Sequence, residues 1–435
     1  MTVIGASRRR LGGACVLVAV FAFAVAGCGG GDGGSSAPGV TKDSVLIGSH
    51  QPLTGPAAPG YSEIAPASNA FFKYLNSQGG VNGRDIKYVY KDDGYNPTNT
   101  VSVVKRLVLQ QKVFAIFNGL GTPTHTKVAD FLNASKVPDL FVASGCQCWD
   151  EPGDHPMTFG WQPDYVVEGK ILGDYIKKHF AGKKVAYFYQ NDDFGKDGVK
   201  GLDMYLPKSQ VVSRQSYQPG DTNVGPQISA IKSSGAEVIA AFTIPAYTAL
   251  AELTSVKLGY KAQLVVSNVG SDPITVGGLL KSFSKGKAGA TLIEGLVTDG
   301  YLPAVGDSSN PWISLFKRIH DRYDASAPFD GNVLFGMAAA YTFSQALDGA
   351  GKNPTRQGLV DAVEKGGFRG PGLVPFRYSD KSHAGFTGAQ IGTIKGGRIV
   401  YEGTPVTTDD GAGPLKPYTE KQPTPEEGGL VKAGD

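Results

Sequence analysis

The sequence predicts an α/β protein of two lobes, each built on a parallel sheet, and three observations predict it. The first is the stretch 113–148, VFAIFNGLGTPTHTKVADFLNASKVPDLFVASGCQC. Its apolar runs 113–117 and 140–143 are too short for helices, and between them Val128, Phe131 and Leu132 fall at i, i+3 and i+4, a helical stripe. Strand, helix, strand in that order is a βαβ unit with parallel strands. The second is that the alternation restarts after Trp161-Gln162-Pro163 and runs to residue 267. The third is length, since 435 residues leave ample chain for two cores even without a leader.

Taken in order, the chain opens with an address. Arg8, Arg9 and Arg10 form a basic n-region, and 11–25 is apolar but short for a bilayer. Val25-Ala26-Gly27-Cys28 resembles a bacterial lipobox, so 1–27 is expected to be a lipoprotein signal peptide and Cys28 the lipidated N-terminus. A flexible Gly/Ser tether over 28–43 follows. No later segment is apolar enough to cross a membrane. Removing the three leader arginines turns 42 basic against 39 acidic side chains into 39 against 39. That neutral balance leaves no electrostatic footprint for nucleic acid. Of four cysteines only Cys146 and Cys148 remain beyond the anchor, which excludes a disulfide scaffold.

Strands are expected at 45–49, 86–90, 113–117 and 140–143, with helices at 65–77 and 97–110, the latter capped by Asn96 with Pro97 at its first position. The second series places helices at 165–179, 194–206, 224–234 and 246–258, and strands at 184–189, 211–217, 238–242 and 263–267. Residues 291–296 are read as leading the chain back to three helices, 311–323, 330–348 and 356–363. A hairpin over 389–401 turns at Lys395-Gly396-Gly397, and the Pro- and Gly-rich stretch from 403 is expected to be a loosely ordered tail.

The segments IGSHQPLTGPAA (47–58), GGVNGR (79–84), DDGYNP (92–97), 113–122 and FYQNDDFG (188–195) resemble the type I periplasmic binding proteins, closest to the leucine/isoleucine/valine-binding receptors of ABC importers. The resemblance covers about 44–402 in order. It implies two Rossmann-like lobes joined by three hinge crossovers, near 160–163, 294–297 and 375–388. Lobe 1 then comprises 44–161 and 296–377, lobe 2 comprises 162–295 and 378–402, and 403–435 is the tail. It also implies an extracytoplasmic, lipid-anchored monomer that hands a small carboxylate-bearing ligand to permease subunits, with no cofactor.

In open parallel sheets ligands bind at the carboxyl ends of the strands. Here those ends carry Gly121, Thr122 and Thr124 in one loop and Gly145, Cys146 and Gln147 in the next, rich in hydroxyl and N–H donors for a carboxylate. The alternative role for either threonine is a plain helix cap. Tyr61, Phe194 and Tyr247 match positions where relatives place aromatic walls. The family's acid for a ligand ammonium aligns with Asn268, an amide without countercharge, and Asp272 is the candidate to replace it. If it does not, the expected ligand shifts from an amino acid to an aromatic or aliphatic acid or amide.

Cys146 and Cys148 are read as free thiols beside the pocket, because a bridge between extended i and i+2 positions is at the limit of reach. A metal site recruiting Asp150, Asp154 and His155 lacks a zinc-like pattern. Five of the six histidines are assigned to solvated loops and helix faces, and His125 to the edge of the cleft. A dehydrogenase-like enzyme is the rival class, but Gly119-Leu120-Gly121 lacks the third glycine of a dinucleotide fingerprint and lies on a third strand. No P-loop, H-E-x-x-H or G-x-S-x-G motif occurs. A receptor sensing domain would need a spanning helix or an output domain. The reading is a binding protein that catalyses nothing and holds no metal.

Overall fold

The computed structural model describes residues 37–431. The leader 1–27, Cys28 and the first part of the tether lie outside the described residues. Residues 37–43 are folded rather than flexible, with Val40 buried and bridged to Val45.

The first sheet holds five parallel strands in the order β2-β1-β3-β4-β5: β1 Ser44–Gln51, β2 Asp85–Asp92, β3 Ile116–Phe117, β4 Asp139–Val142 and β5 Thr158–Gly160. The βαβ reading of 113–148 thus holds, with β3 and β4 parallel at Ile116↔Asp139. Strand β5 escaped the sequence reading because three residues carry no periodicity. Asn96 caps its helix as expected, accepting from the Thr98 and Asn99 N–H groups.

The second sheet runs β7-β6-β8-β9-β10 in parallel, through β6 Val185–Gln190, β7 Val211–Tyr217, β8 Val238–Phe242, β9 Gln263–Val266 and β10 Val297–Gly300. It continues antiparallel through β11 Gly388–Lys395, which pairs with β12 Arg398–Tyr401 in the expected hairpin. Strand β10 corrects the second crossover. Residues 291–296 do not lead the chain back; Val297 pairs with Val265, and the chain leaves this sheet only after Gly300. The helices Pro311–Tyr323, Gly331–Gly349 and Arg356–Glu364 then cover the first sheet's side, with Ser68 Oγ donating to the Gly336 carbonyl at 2.8 Å.

An aromatic cluster joins the three crossings. Trp161 follows β5, Tyr301 follows β10, and Phe376 and Phe386 precede β11. The Trp161 ring lies 5.9 Å from Tyr301 and 5.1 Å from Phe386, and Phe376 stacks on Phe386 at 3.9 Å. Gly385 lets the backbones touch there, since a Cβ would stand 2.1 Å from the Trp161 carbonyl oxygen.

The tail departs most from expectation. Residues beyond 403 are docked: β13 Val406–Thr407 pairs with β11, and β14 Lys416–Pro417 pairs with β13. Lys170, buried in the helix Tyr165–His179, donates through Nζ to Thr408 Oγ1, to Asp409 Oδ1 and to the carbonyls of Asp409, Gly411 and Gly413, at 2.6–3.1 Å. Further on, Trp312 Nε1 donates to the Pro423 carbonyl and Gln345 to that of Gly428. The tail therefore straps one lobe to the other. Its glycines and prolines read as disorder, yet Asp409, Gly411 and Gly413 supply carbonyls to a buried ammonium, which local composition cannot reveal. No helix among the described residues is long and apolar enough to cross a membrane.

Candidate functional site

A cavity of about 590 Å³ lies between the sheets, at the carboxyl ends of their strands. Tyr61, Gly121, Thr122, Phe194, Asn268 and Asp272 line it, so six positions singled out from sequence converge there. Gly121 takes φ +103° in the loop after β3, and a Cβ would press on the Tyr95 ring at 2.5 Å. That opening brings Thr122 to the wall, its Oγ1 2.7 Å from Ser144 Oγ at the end of β4. Tyr165 and Phe194, rings 4.6 Å apart, add an aromatic side, and Tyr95, Tyr301 and Phe335 further ones.

Five predicted residues stand elsewhere. Thr124 turns from the cavity and donates to the Leu120 and Gly121 carbonyls at 2.6 and 3.0 Å. Gly145 and Cys146 line a separate space of about 10 Å³. The Gln147 N–H, meant for a ligand, is taken by Asp197 at 3.0 Å, and its side chain by Asp410 and Lys200. Tyr247 stacks on Tyr217 at 3.8 Å, and its hydroxyl holds the 218–221 loop through Gly220, Gln218 and Asp221. Cys146 and Cys148 are bridged, not free: the turn Gln147–Trp149 draws their Cα atoms to 5.1 Å, inside disulfide range. Among the described residues no group of three or more His, Cys, Asp or Glu side chains is arranged for a metal.

Asp272 does not offer a free carboxylate. Its Oδ1 accepts from the Thr275 N–H at 2.8 Å, capping one helix, and its Oδ2 accepts from Gly331 N–H at 3.0 Å, at the start of another. The bond to Gly331 also crosses the cleft. So does the Tyr61 hydroxyl, donating to the Val269 carbonyl at 2.6 Å. Asn268 spends its donors on acids: its N–H reaches Glu168 Oε1 at 2.8 Å and Asp299 Oδ1 at 3.1 Å.

The histidines were misread. His50 and His125 are fully buried behind the cavity loop, in a chain Asp93–His50–His125–Asp139 with links of 2.8, 2.8 and 2.7 Å. Thr100 and Thr158 close its ends on the two carboxylates. Burial depresses His50 below the ordinary imidazole value against the raising effect of Asp93. Burial alone would raise Asp93, but the bonds from His50 and Thr100 outweigh it and hold the carboxyl low. His383 is buried too, stacked on Phe159. The ends of β1 and β2, a short helix after β3 and the start of β4 supply the chain from positions far apart in sequence, and no local pattern announces it.

Several known proteins share sequence or fold with this chain. The "Amino acid binding protein" of Pseudomonas aeruginosa is 28% identical over 213 residues, 45% of this chain and 52% of that protein. The chain thus spans about half the length of the first curated relatives it matches. Leu/Ile/Val-binding protein homolog 1 of Brucella suis is 24% identical over 75% of this chain and 84% of its own. Among solved structures, a branched chain amino acid ABC transporter from Thermus thermophilus with bound valine superposes with TM-score 0.74 at 20% identity, covering 85% of this chain and 98% of its own. The fatty acid ABC transporter substrate-binding protein from Thermomonospora curvata gives 0.74 at 21%, covering 86% and 95%. With the family model for periplasmic binding proteins matching residues 44–398, the chain belongs to the periplasmic binding protein family.

Proposed function

We propose that this protein is the extracytoplasmic substrate-binding component of an ABC importer, anchored through Cys28, and that it closes on a small carboxylate-bearing molecule without transforming it. The observation that carries this reading is the cavity of about 590 Å³ walled by residues of both lobes, within the usual range for small-molecule sites. Bonds such as Tyr61 to Val269 and Asp272 to Gly331 join its two sides, as expected of a cleft that shuts by hinge motion. The aromatic cluster at the crossings is the pivot.

Thr122, with Ser144 behind it, and the nearby Tyr165 make the hydroxyl-rich end suited to a carboxylate. An amino acid or close analogue fits the relatives named for such ligands, and the neighbour holding valine supports the same class. Mass spectrometry of co-purified ligand, followed by thermal-shift titration of the compound found, tests the reading. Binding should raise Tm, and Thr122→Val should weaken it about tenfold through one lost charge-assisted hydrogen bond. Turnover of the compound, or affinity untouched by Thr122→Val, would refute it.

A further inference from the structure

At the cavity wall stands a pair of acids that the carboxylate reading leaves unused, one lining the cavity and one buried behind it. Asp299 lies in β10, lines the cavity and is 1% exposed. Glu168, on the helix Tyr165–His179, is fully buried beside it. Asn268 stitches the two together, with its N–H shared between them and its side-chain Nδ2 donating to Glu168 Oε1 at 2.9 Å. Glu168 Oε2 has no N–H or hydroxyl partner. Asp299 and the Ser267 hydroxyl are the side chains that hydrogen-bond to Glu168, and a proton shared with Asp299 would satisfy this oxygen. Burial, then the charge of Asp299, pushes Glu168 well above the usual carboxylate range, and burial lifts Asp299 to about 6. Asp299 is thus the member that carries the negative charge near neutrality, and Glu168 the one that holds a proton more readily. No lysine or arginine is among the groups acting most strongly on either acid. A buried anion of this kind calls for a countercharge, and Asp299 borders the cavity, from which one can come.

We propose that Asp299, paired with Glu168 through Asn268, is the group that receives the ammonium of the ligand. The carboxylate absent at position 268 is thus supplied by the neighbouring strand, and the asparagine positions it. This rests on the reading that the cavity takes a carboxylate-bearing molecule, and it makes that molecule an amine-bearing acid. When the ammonium arrives, the shared proton leaves Glu168 for solvent and two carboxylates face one cation. Binding therefore releases up to one proton.

Calorimetry on the full chain tests this, with the twenty common L-amino acids as probes and the deaminated acid of the best binder as its control. Titrations in buffers of different ionisation enthalpy count the protons. The amino acid should bind at least a hundredfold tighter than its deaminated acid, and Asp299→Asn should erase that difference. Glu168→Gln, which keeps the Asn268 contact, should weaken binding about tenfold and abolish proton release. A deaminated acid that binds as tightly as its parent overturns the inference and leaves the carboxylate reading standing. So does an Asp299→Asn variant within threefold of the parent, or proton release that persists in Glu168→Gln. Should no carboxylate-bearing probe bind, the reading of the cavity itself falls, and the inference with it.

Discussion

Replacing His125 by alanine isolates the buried chain behind the cavity. His125 is fully buried and makes two of the chain's links, 2.8 Å to His50 and 2.7 Å to Asp139. Its loss strands His50 Nε2 and removes one of two donors from Asp139 Oδ2, which keeps only Thr158 at 3.0 Å. Each buried polar group left unmatched costs about 1–3 kcal/mol, more if charged. The lost packing against the rings of His50 and Trp149, 5.1 and 5.2 Å away, adds roughly 1–2 kcal/mol. The total, roughly 2–5 kcal/mol, is a large share of a domain's stability of about 5–15 kcal/mol. Urea denaturation followed by tryptophan fluorescence measures it, and a cycle with Asp139→Asn should show coupling of at least about 1 kcal/mol. Because His125 sits under Gly119 and just after Thr122, ligand affinity should fall as well. A loss below about 1 kcal/mol, or additivity in the cycle, would refute a chain that acts as one unit.

Four further outcomes follow from the same structure. Asp164 and Glu63, each pushed up to about 8 by burial, and Glu252, raised to about 7, take up protons in the folded state first, so stability should rise as pH falls from about 8.5 towards 6. Below the unfolded histidine value of 6.5 the depressed His50 opposes this, its contribution being lost as pH falls, so melting across pH 4–9 should rise steeply as pH falls from about 8.5 to 6.5 and more gently below, with a flatter alkaline limb in Asp164→Asn. Lys170→Met should undock the tail, speeding amide exchange over 406–417 about a hundredfold, the equivalent of roughly 3 kcal/mol for a broken buried pair. Reducing Cys146–Cys148 should cost only about 1–2 kcal/mol, because so short a loop gains little from closure, and a melt with and without reductant reads it. Tyr61→Phe should weaken ligand binding about fivefold, the worth of about 1 kcal/mol for one bond across the closed cleft, measurable by calorimetry.

The sequence by itself determined the alternation of strands and helices, the hairpin, the return helices and the end of the sheet where the cavity opens. Period, cap and turn chemistry are local, and a βαβ unit allows few arrangements. It also marked Thr122, because strand-end loops are short enough to place by counting, while Phe194 came from the resemblance to the family. Which side chains turn inward was decided only by tertiary structure. Thr124 lies two residues from Thr122 yet turns back to the Leu120 carbonyl. Tyr247 and Gln147 found partners in other segments. Strand β10 was mistaken for a connection because four residues joined to the sheet by one register pair, Val297↔Val265, and an antiparallel neighbour show no period of their own. Asp299 therefore went unread as a neighbour of Asn268, although 31 residues separate them. The histidine chain and the lysine clasp on the tail have the same origin. A buried polar group takes whichever partner the fold delivers, and its desolvation cost is set by the whole assembly rather than by its neighbours in sequence.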